Sequence, residues 1–168
     1  GILEPTGRMI THEEAKSILS PVLAERMCEL DGKPAMLIAA RNQGAMDDIY
    51  ICQKDIREVQ LAKAAIAAGA NILMKEMGVS VSDVGVVYLA GGFGNYIDFD
   101  HAADIGLIPE QLRSRIVPIG NGAGSGARMA LLSRENLDRA QAIRDRIRYI
   151  ELSAHIDFQN TFVEFVMF

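Results

Sequence analysis

The sequence predicts a layered α/β domain. Three observations carry that expectation. Strand-like apolar runs alternate with amphipathic helical segments along the 168 residues. A run of β-formers, Val86-Val87-Tyr88-Leu89, leads straight into Gly91-Gly92. A second run, residues 116–119, leads into Gly120-Asn121-Gly122-Ala123-Gly124-Ser125-Gly126-Ala127. A helical segment between these two strands makes them parallel. In such sheets ligands gather outside the carboxyl ends of the strands. Glycines there let a ligand approach the backbone closely.

Each element has a local reason. Thr11-His12-Glu13-Glu14 has the form of a capping box and opens a helix expected to reach about residue 30, with Pro21 as a possible break. Asp31-Gly32-Lys33-Pro34 makes a turn. Residues 35–40 and 48–52 read as strands around an Asn42-Gln43-Gly44 turn, which suggests an antiparallel hairpin. Asp55-Ile56-Arg57-Glu58 resembles a second capping box and opens the longest helix, to about Met77, with Gly78 as its stop. Ile56, Val59, Lys63, Ile66, Ala70, Leu73 and Met77 fall on one face by three-and-four spacing. Lys63 is the one charge on that stripe, either snorkelling at its edge or aimed at a ligand. Short helical pieces follow at 100–106 and 109–112. Pro118 points to a sheet edge or a strand end. The glycine segment at 120–127 reads as a loop entering a helix through about 133, with a further helix over 134–152. Phe158, Phe162, Phe165 and Phe168 share one face if helical, so the tail is expected to dock on the body or on a partner chain.

Composition narrows the function. An apolar fraction of 49% suits one folded domain. The net charge of −5 argues against a nucleic-acid surface, which needs clustered Lys and Arg. The Arg-rich stretch at 139–148 contains an acid and reads as a solvated or pairing helix face. No apolar run is long enough to span a membrane and no signal-peptide pattern is present. Cys28 and Cys52 are too few for an iron–sulfur cluster or a typical structural zinc site, and read as free thiols in a reducing cytoplasm. His12, His101 and His155 are scattered, so no metal site is expected. The abrupt start without an initiator Met suggests a piece of a longer protein.

Motifs for other chemistries are incomplete. Gly122-Ala123-Gly124-Ser125-Gly126-Ala127 fits G-x-G-x-x-A, but no strand follows to complete a dinucleotide-binding unit. The glycines also have a structural reading, as places of close helix–sheet packing. No P-loop and no nucleophile elbow are present. Asp98, Asp100 and Asp104 hint at acid/base or metal chemistry, and a helix cap with surface acids explains them more simply. No catalytic residue is assigned.

Three segments together resemble the C-terminal part of the reductive activators of corrinoid proteins. They are Cys52-Gln53-Lys54-Asp55-Ile56-Arg57-Glu58-Val59-Gln60-Leu61-Ala62-Lys63-Ala64-Ala65-Ile66, then Tyr88-Leu89-Ala90-Gly91-Gly92-Phe93-Gly94-Asn95-Tyr96-Ile97-Asp98, then the Gly120–Ala127 segment quoted above. Tyr149-Ile150-Glu151-Leu152-Ser153 adds to the resemblance. These activators are similar to the acetate kinase, heat-shock chaperone and actin-like ATPase superfamily.

The resemblance implies a three-layer, ribonuclease-H-like α/β subdomain with a mixed sheet and a C-terminal helical extension. It implies one domain over 1–168, with a helical segment to about 34, an α/β core over 35–133 and C-terminal helices and tail beyond. It places ATP or ADP, with Mg in the full-length parent, against Gly91, Gly92, Phe93 and Asn95. Gln60 and Lys63 are implied beside the adenine or ribose, and Gly120 and Asn121 near the same cleft. The acidic phosphate loop of the other subdomain is absent, as is the cysteine-rich domain that would carry an iron–sulfur cluster. The expected parent is a cytoplasmic ATP-dependent reductive activase whose partner is a corrinoid protein, with a homodimer expected. The fragment alone is expected not to hydrolyse ATP. The alternatives are a non-catalytic dimerisation or docking module and an independent dinucleotide-binding domain.

Overall fold

The computed structural model describes residues 1–92 and 96–168. These form two compact units, Gly1–Ala65 with Val163–Phe168, and Ile66–Phe162. Both units draw on one long helix.

In the first unit Thr11 caps α1 (His12–Ile18) as its capping box predicts. The Thr11 hydroxyl accepts from the Glu14 N–H at 3.2 Å, and the Glu14 carboxylate accepts from the Thr11 N–H at 2.7 Å. The helix expected to run to about residue 30 is overturned. Pro21 cannot continue it and instead opens the single turn α2 (Pro21–Ala24). Residues 27–30 then form β1 (Met27–Leu30). Asp31 (φ 52°) and Gly32 (φ 71°) turn the chain into β2 (Lys33–Ala39). Positive φ at both central positions suits the twist of a two-residue hairpin. β3 (Ile49–Cys52) pairs antiparallel with β2, as the expected hairpin requires, and the sheet order is β1-β2-β3. Met9, Ile10, Ala15, Ala24, Met27 and Ile56 form the core. Burying Met9 and Met27 contributes about 1.5–3 kcal/mol each.

α3 (Gln53–Met77) starts two residues earlier than the capping-box reading. The Asp55 carboxylate reaches back to the Cys52 N–H at 2.8 Å, so Asp55 acts from inside the first turn. Gly78 (φ 66°) ends the helix as expected, with its N–H on Lys75 O (3.1 Å) and the Val79 N–H on Met74 O (3.0 Å). The buried face differs from the predicted stripe. Ile56, Gln60, Lys63, Ala64, Ala67, Ala68 and Ile72 are buried, while Val59, Ile66 (57% exposed), Leu73 and Met77 (75%) face outward. Alanines let neighbouring backbone come close, and the two polar residues find hydrogen-bond partners.

In the second unit β4 (Val87–Ala90) and β5 (Ile116–Gly120) pair in parallel. Antiparallel and parallel sheets with helices thus give the mixed α/β class that the sequence predicts. Asp98 caps α4 (Phe99–Asp104), accepting from the His101 N–H at 3.0 Å. Arg113 gathers Asp104 (2.5 Å), Glu110 (2.6 Å) and Asp100 (3.3 Å), so these acids have a structural partner. The glycine segment is not a loop. α5 (Gly122–Leu132) begins within it, because the Asn121 side chain caps the Gly124 N–H. The helix expected over 134–152 is also shorter. α6 (Arg134–Arg144) stops, and the following segment docks on α3. There Arg148 (3.3 Å) and His155 (3.5 Å) meet Glu76, and Asp157 pairs with Lys75. α7 (Phe158–Glu164) brings the rings of Phe158 and Phe162 to 6.1 Å. Phe168 lies beyond that helix and packs on the core of the first unit.

Arg8 and the Thr11 cap hold the Glu14 carboxyl down to about 2 from an ordinary 4.5. A depressed acid stabilises the fold above the unfolded value and loses that contribution as pH falls through the folded one. Thermal melts should therefore show a loss of stability from about pH 4.5 down to about 2 that Glu14→Gln flattens.

Candidate functional site

The two strands of the parallel pair end at the same level, β4 at Ala90 just before Gly91 and β5 in Gly120. The register Val87↔Ile116 to Leu89↔Pro118 shifts by one residue, so that Ala90 faces Gly120. Gly91 (φ 84°) and Gly120 (φ 60°) adopt the left-handed region that disfavours side chains. The Gly91 N–H donates to the Gly120 carbonyl at 2.7 Å and ties the two turns together. Gly91, Gly92, Gly120 and Asn121 are thus brought to one sheet end. Phe93 and Asn95 lie outside the described residues.

The glycines around this end differ in what requires them. A Cβ on Gly122 would lie 3.2 Å from Ile119 Cδ1 and 3.7 Å from Ala90 Cβ, so helix–strand packing accounts for it. A Cβ on Gly124 would lie 2.6 Å from the Asn121 side-chain nitrogen, so the helix cap accounts for that one. Gly92 is different. Its Cβ would meet nothing within 4 Å, and its φ lies outside the left-handed range. Among the described residues no atom gives a steric reason for glycine there.

Gln60 and Lys63 lie on α3 in the first unit, 5% and 3% exposed. Their polar atoms are taken up by the chain itself. Gln60 Nε2 donates to Thr6 O (3.1 Å) and Val166 O (3.0 Å). Lys63 Nζ donates to Met167 O and sits 5.0 Å from the centre of the Phe168 ring. Burial pushes the Lys63 ammonium pKa down. Two turns before Gln60, Gln53 accepts from the Met9 N–H and donates to Gly7 O, both at 2.7 Å. The Phe168 N–H closes the arrangement on Pro5 O at 2.9 Å. Lys63 therefore neither snorkels nor points to open space here.

The geometry agrees with what related proteins are. Residues 6–168 match the family described as the C-terminal domain of RACo, the ASKHA domain. The chain belongs to this family. It is 45% identical over 121 residues to the corrinoid activation enzyme RamQ of Eubacterium limosum, covering 72% of this chain and 20% of that protein. A [Co(II) methylated amine-specific corrinoid protein] reductase of Methanosarcina barkeri is 32% identical over 99 residues, covering 59% and 18%. A solved reductive activator for corrinoid, iron-sulfur protein superposes with a TM-score of 0.84 at 30% identity, over 99% of this chain and 25% of that one. The chain therefore spans a fifth to a quarter of the length of these relatives.

Within this ASKHA domain, two functional features escaped the sequence reading. One is Gly7 (φ 80°), where a Cβ would come within 2.3 Å of the Gln60 amide. The signal was Pro5-Thr6-Gly7, a turn whose tertiary purpose sequence alone does not reveal. The other is the set of backbone carbonyls at Thr6, Val166 and Met167, which carry no sequence signature at all. No described helix is long and apolar enough to cross a membrane.

Gly7→Ala should lower unfolding stability by about 3 kcal/mol, because it adds both strain and a clash. Asn121→Ala should cost only about 1 kcal/mol, the value of one N-cap. Chemical denaturation of both variants checks the pair.

Proposed function

We propose that this chain is the nucleotide-binding C-terminal subdomain of an ATP-dependent iron–sulfur protein that reductively activates corrinoid proteins. The observation that carries the reading is the coupled pair of glycine turns at the end of parallel strands, with no described atom within 4 Å of a Cβ on Gly92. Family membership supports it. In this reading Gly91 and Gly92 present backbone to an adenosine moiety that Gly120 and Asn121 border, and Phe93 and Asn95 are assigned to it by the sequence resemblance alone. In the first unit Gln60 and Lys63 are engaged by Thr6, Val166 and Met167.

The residues present fit the adenosine side better than the phosphate side. Among the described residues no group of three or more His, Cys, Asp and Glu is arranged to hold a cation such as Mg. The phosphate loop and its Mg belong, in this reading, to the other subdomain of the parent. The iron–sulfur cluster likewise belongs to a separate domain. Cys28 and Cys52 sit on strands either side of Ala35, and two thiols do not complete a cluster. ATP in the parent would act by favouring one conformation of its complex with the corrinoid protein, which makes an uphill reduction accessible. The setting is the cytoplasm. A homodimer is part of the same reading, favoured by α5 and α6, which contain no buried residue and leave Leu131, Leu132 and Ile143 exposed.

Calorimetry on the full-length parent should show Mg-ATP binding that Gly92→Val weakens about tenfold or more, since no described atom within 4 Å opposes a side chain there. Unchanged affinity in Gly92→Val contradicts the placement. The isolated chain should show no ATP turnover, and turnover contradicts its assignment as half a site. Tight NADH binding would instead favour the dinucleotide alternative.

A further inference from the structure

Residues 165–168 follow α7 and lie outside any helix or strand. They are held on the first unit by few but specific contacts. Gln60 takes the Val166 carbonyl, Lys63 takes the Met167 carbonyl, Pro5 O takes the Phe168 N–H, and the Phe168 ring covers the Lys63 ammonium. The partners of Lys63 among the described residues are neutral. A buried ammonium compensated only by a carbonyl and a ring is a poor way to gain stability, and an apolar side chain of the same length would pack at lower cost. What it provides is selectivity. The observed register puts the Met167 carbonyl at Nζ with the Phe168 ring face above it. Gln60 repeats the constraint, because one nitrogen must bridge Thr6 O and Val166 O.

We propose that residues 165–168 form a releasable strap, keyed into a single register by Gln60 and Lys63, that lifts from the first unit without global unfolding. Segments with little regular structure and few contacts open at the low end of a protein's stability range. Lifting returns the Gln60 amide and the Lys63 ammonium to solvent and vacates the place of Phe168 on the core.

Amide hydrogen exchange on this chain tests the strap directly. The Phe168 N–H should exchange about tenfold or more faster than the Ala64, Ala68 and Ile72 N–H groups of α3, which open only with the fold. Exchange of Phe168 at the rate of those helix amides overturns release. Lys63→Met tests the key. The melting temperature should hold or rise, while Phe168 exchange accelerates further and the signals of residues 165–168 split into more than one register. Parallel loss of melting temperature and strap protection, or failure of Lys63→Met to fold, overturns the keying role. The wild-type measurement decides release in either case.

Discussion

The first unit depends on the burial of polar side chains on one face of α3. Gln53, Gln60 and Lys63 each reach backbone groups distant in sequence, from the turn at Pro5 to Gly7 and from the last residues of the chain. A buried donor left without its acceptor costs about 1–3 kcal/mol. The turn and the helix therefore order together, and the last residues, when seated, complete the hydrogen bonds of Gln60 and Lys63. Gly7 belongs to the same constraint, since the amide of Gln60 occupies the space where any side chain would stand. The alanines at 64, 67 and 68 complete it by keeping that helix face thin.

The second unit is organised by a different economy of atoms. Its parallel strands end together, and one hydrogen bond between Gly91 and Gly120 fixes the two turns as a single edge. Packing accounts for Gly122 and the cap accounts for Gly124, while Gly92 and Gly126 meet no described atom within 4 Å and have no positive φ. The carboxyl end of a parallel pair is where such folds gather ligands. A ligand bound there would be held by backbone, with selectivity supplied by what closes over it. That division of labour suits a subdomain supplying one side of a ligand site, in a family whose relatives are several times longer.

Much of this was legible in the sequence where one local rule dominated. The Thr11 box, the Gly78 stop, the β2–β3 hairpin and the parallel strands each follow from a few neighbouring residues. Residues 27–30 were misread because their composition suits a helix as well as a strand. The Asp31-Gly32 pair was the available sign of a hairpin, and it outranks helical periodicity when both neighbours can pair. The stripe on α3 was rotated because hydrophobicity alone sets aside Gln60 and Lys63, while tertiary hydrogen bonds bury them. At the candidate site, the strand-to-glycine pattern was visible but the bond between the two turns was not. Nor was the capture of Gln60 and Lys63 by the tail, because backbone carbonyls leave no trace in residue identity.

The central claim is that the Gly91–Gly120 edge receives a nucleotide. Amide chemical-shift mapping of the isotopically labelled chain during titration with ADP tests it most directly. The account predicts the largest shifts at Gly91, Gly92, Gly120 and Asn121, with the β1–β3 sheet unmoved. Saturable shifts confined to other residues, with those four amides unchanged at full occupancy, would contradict it.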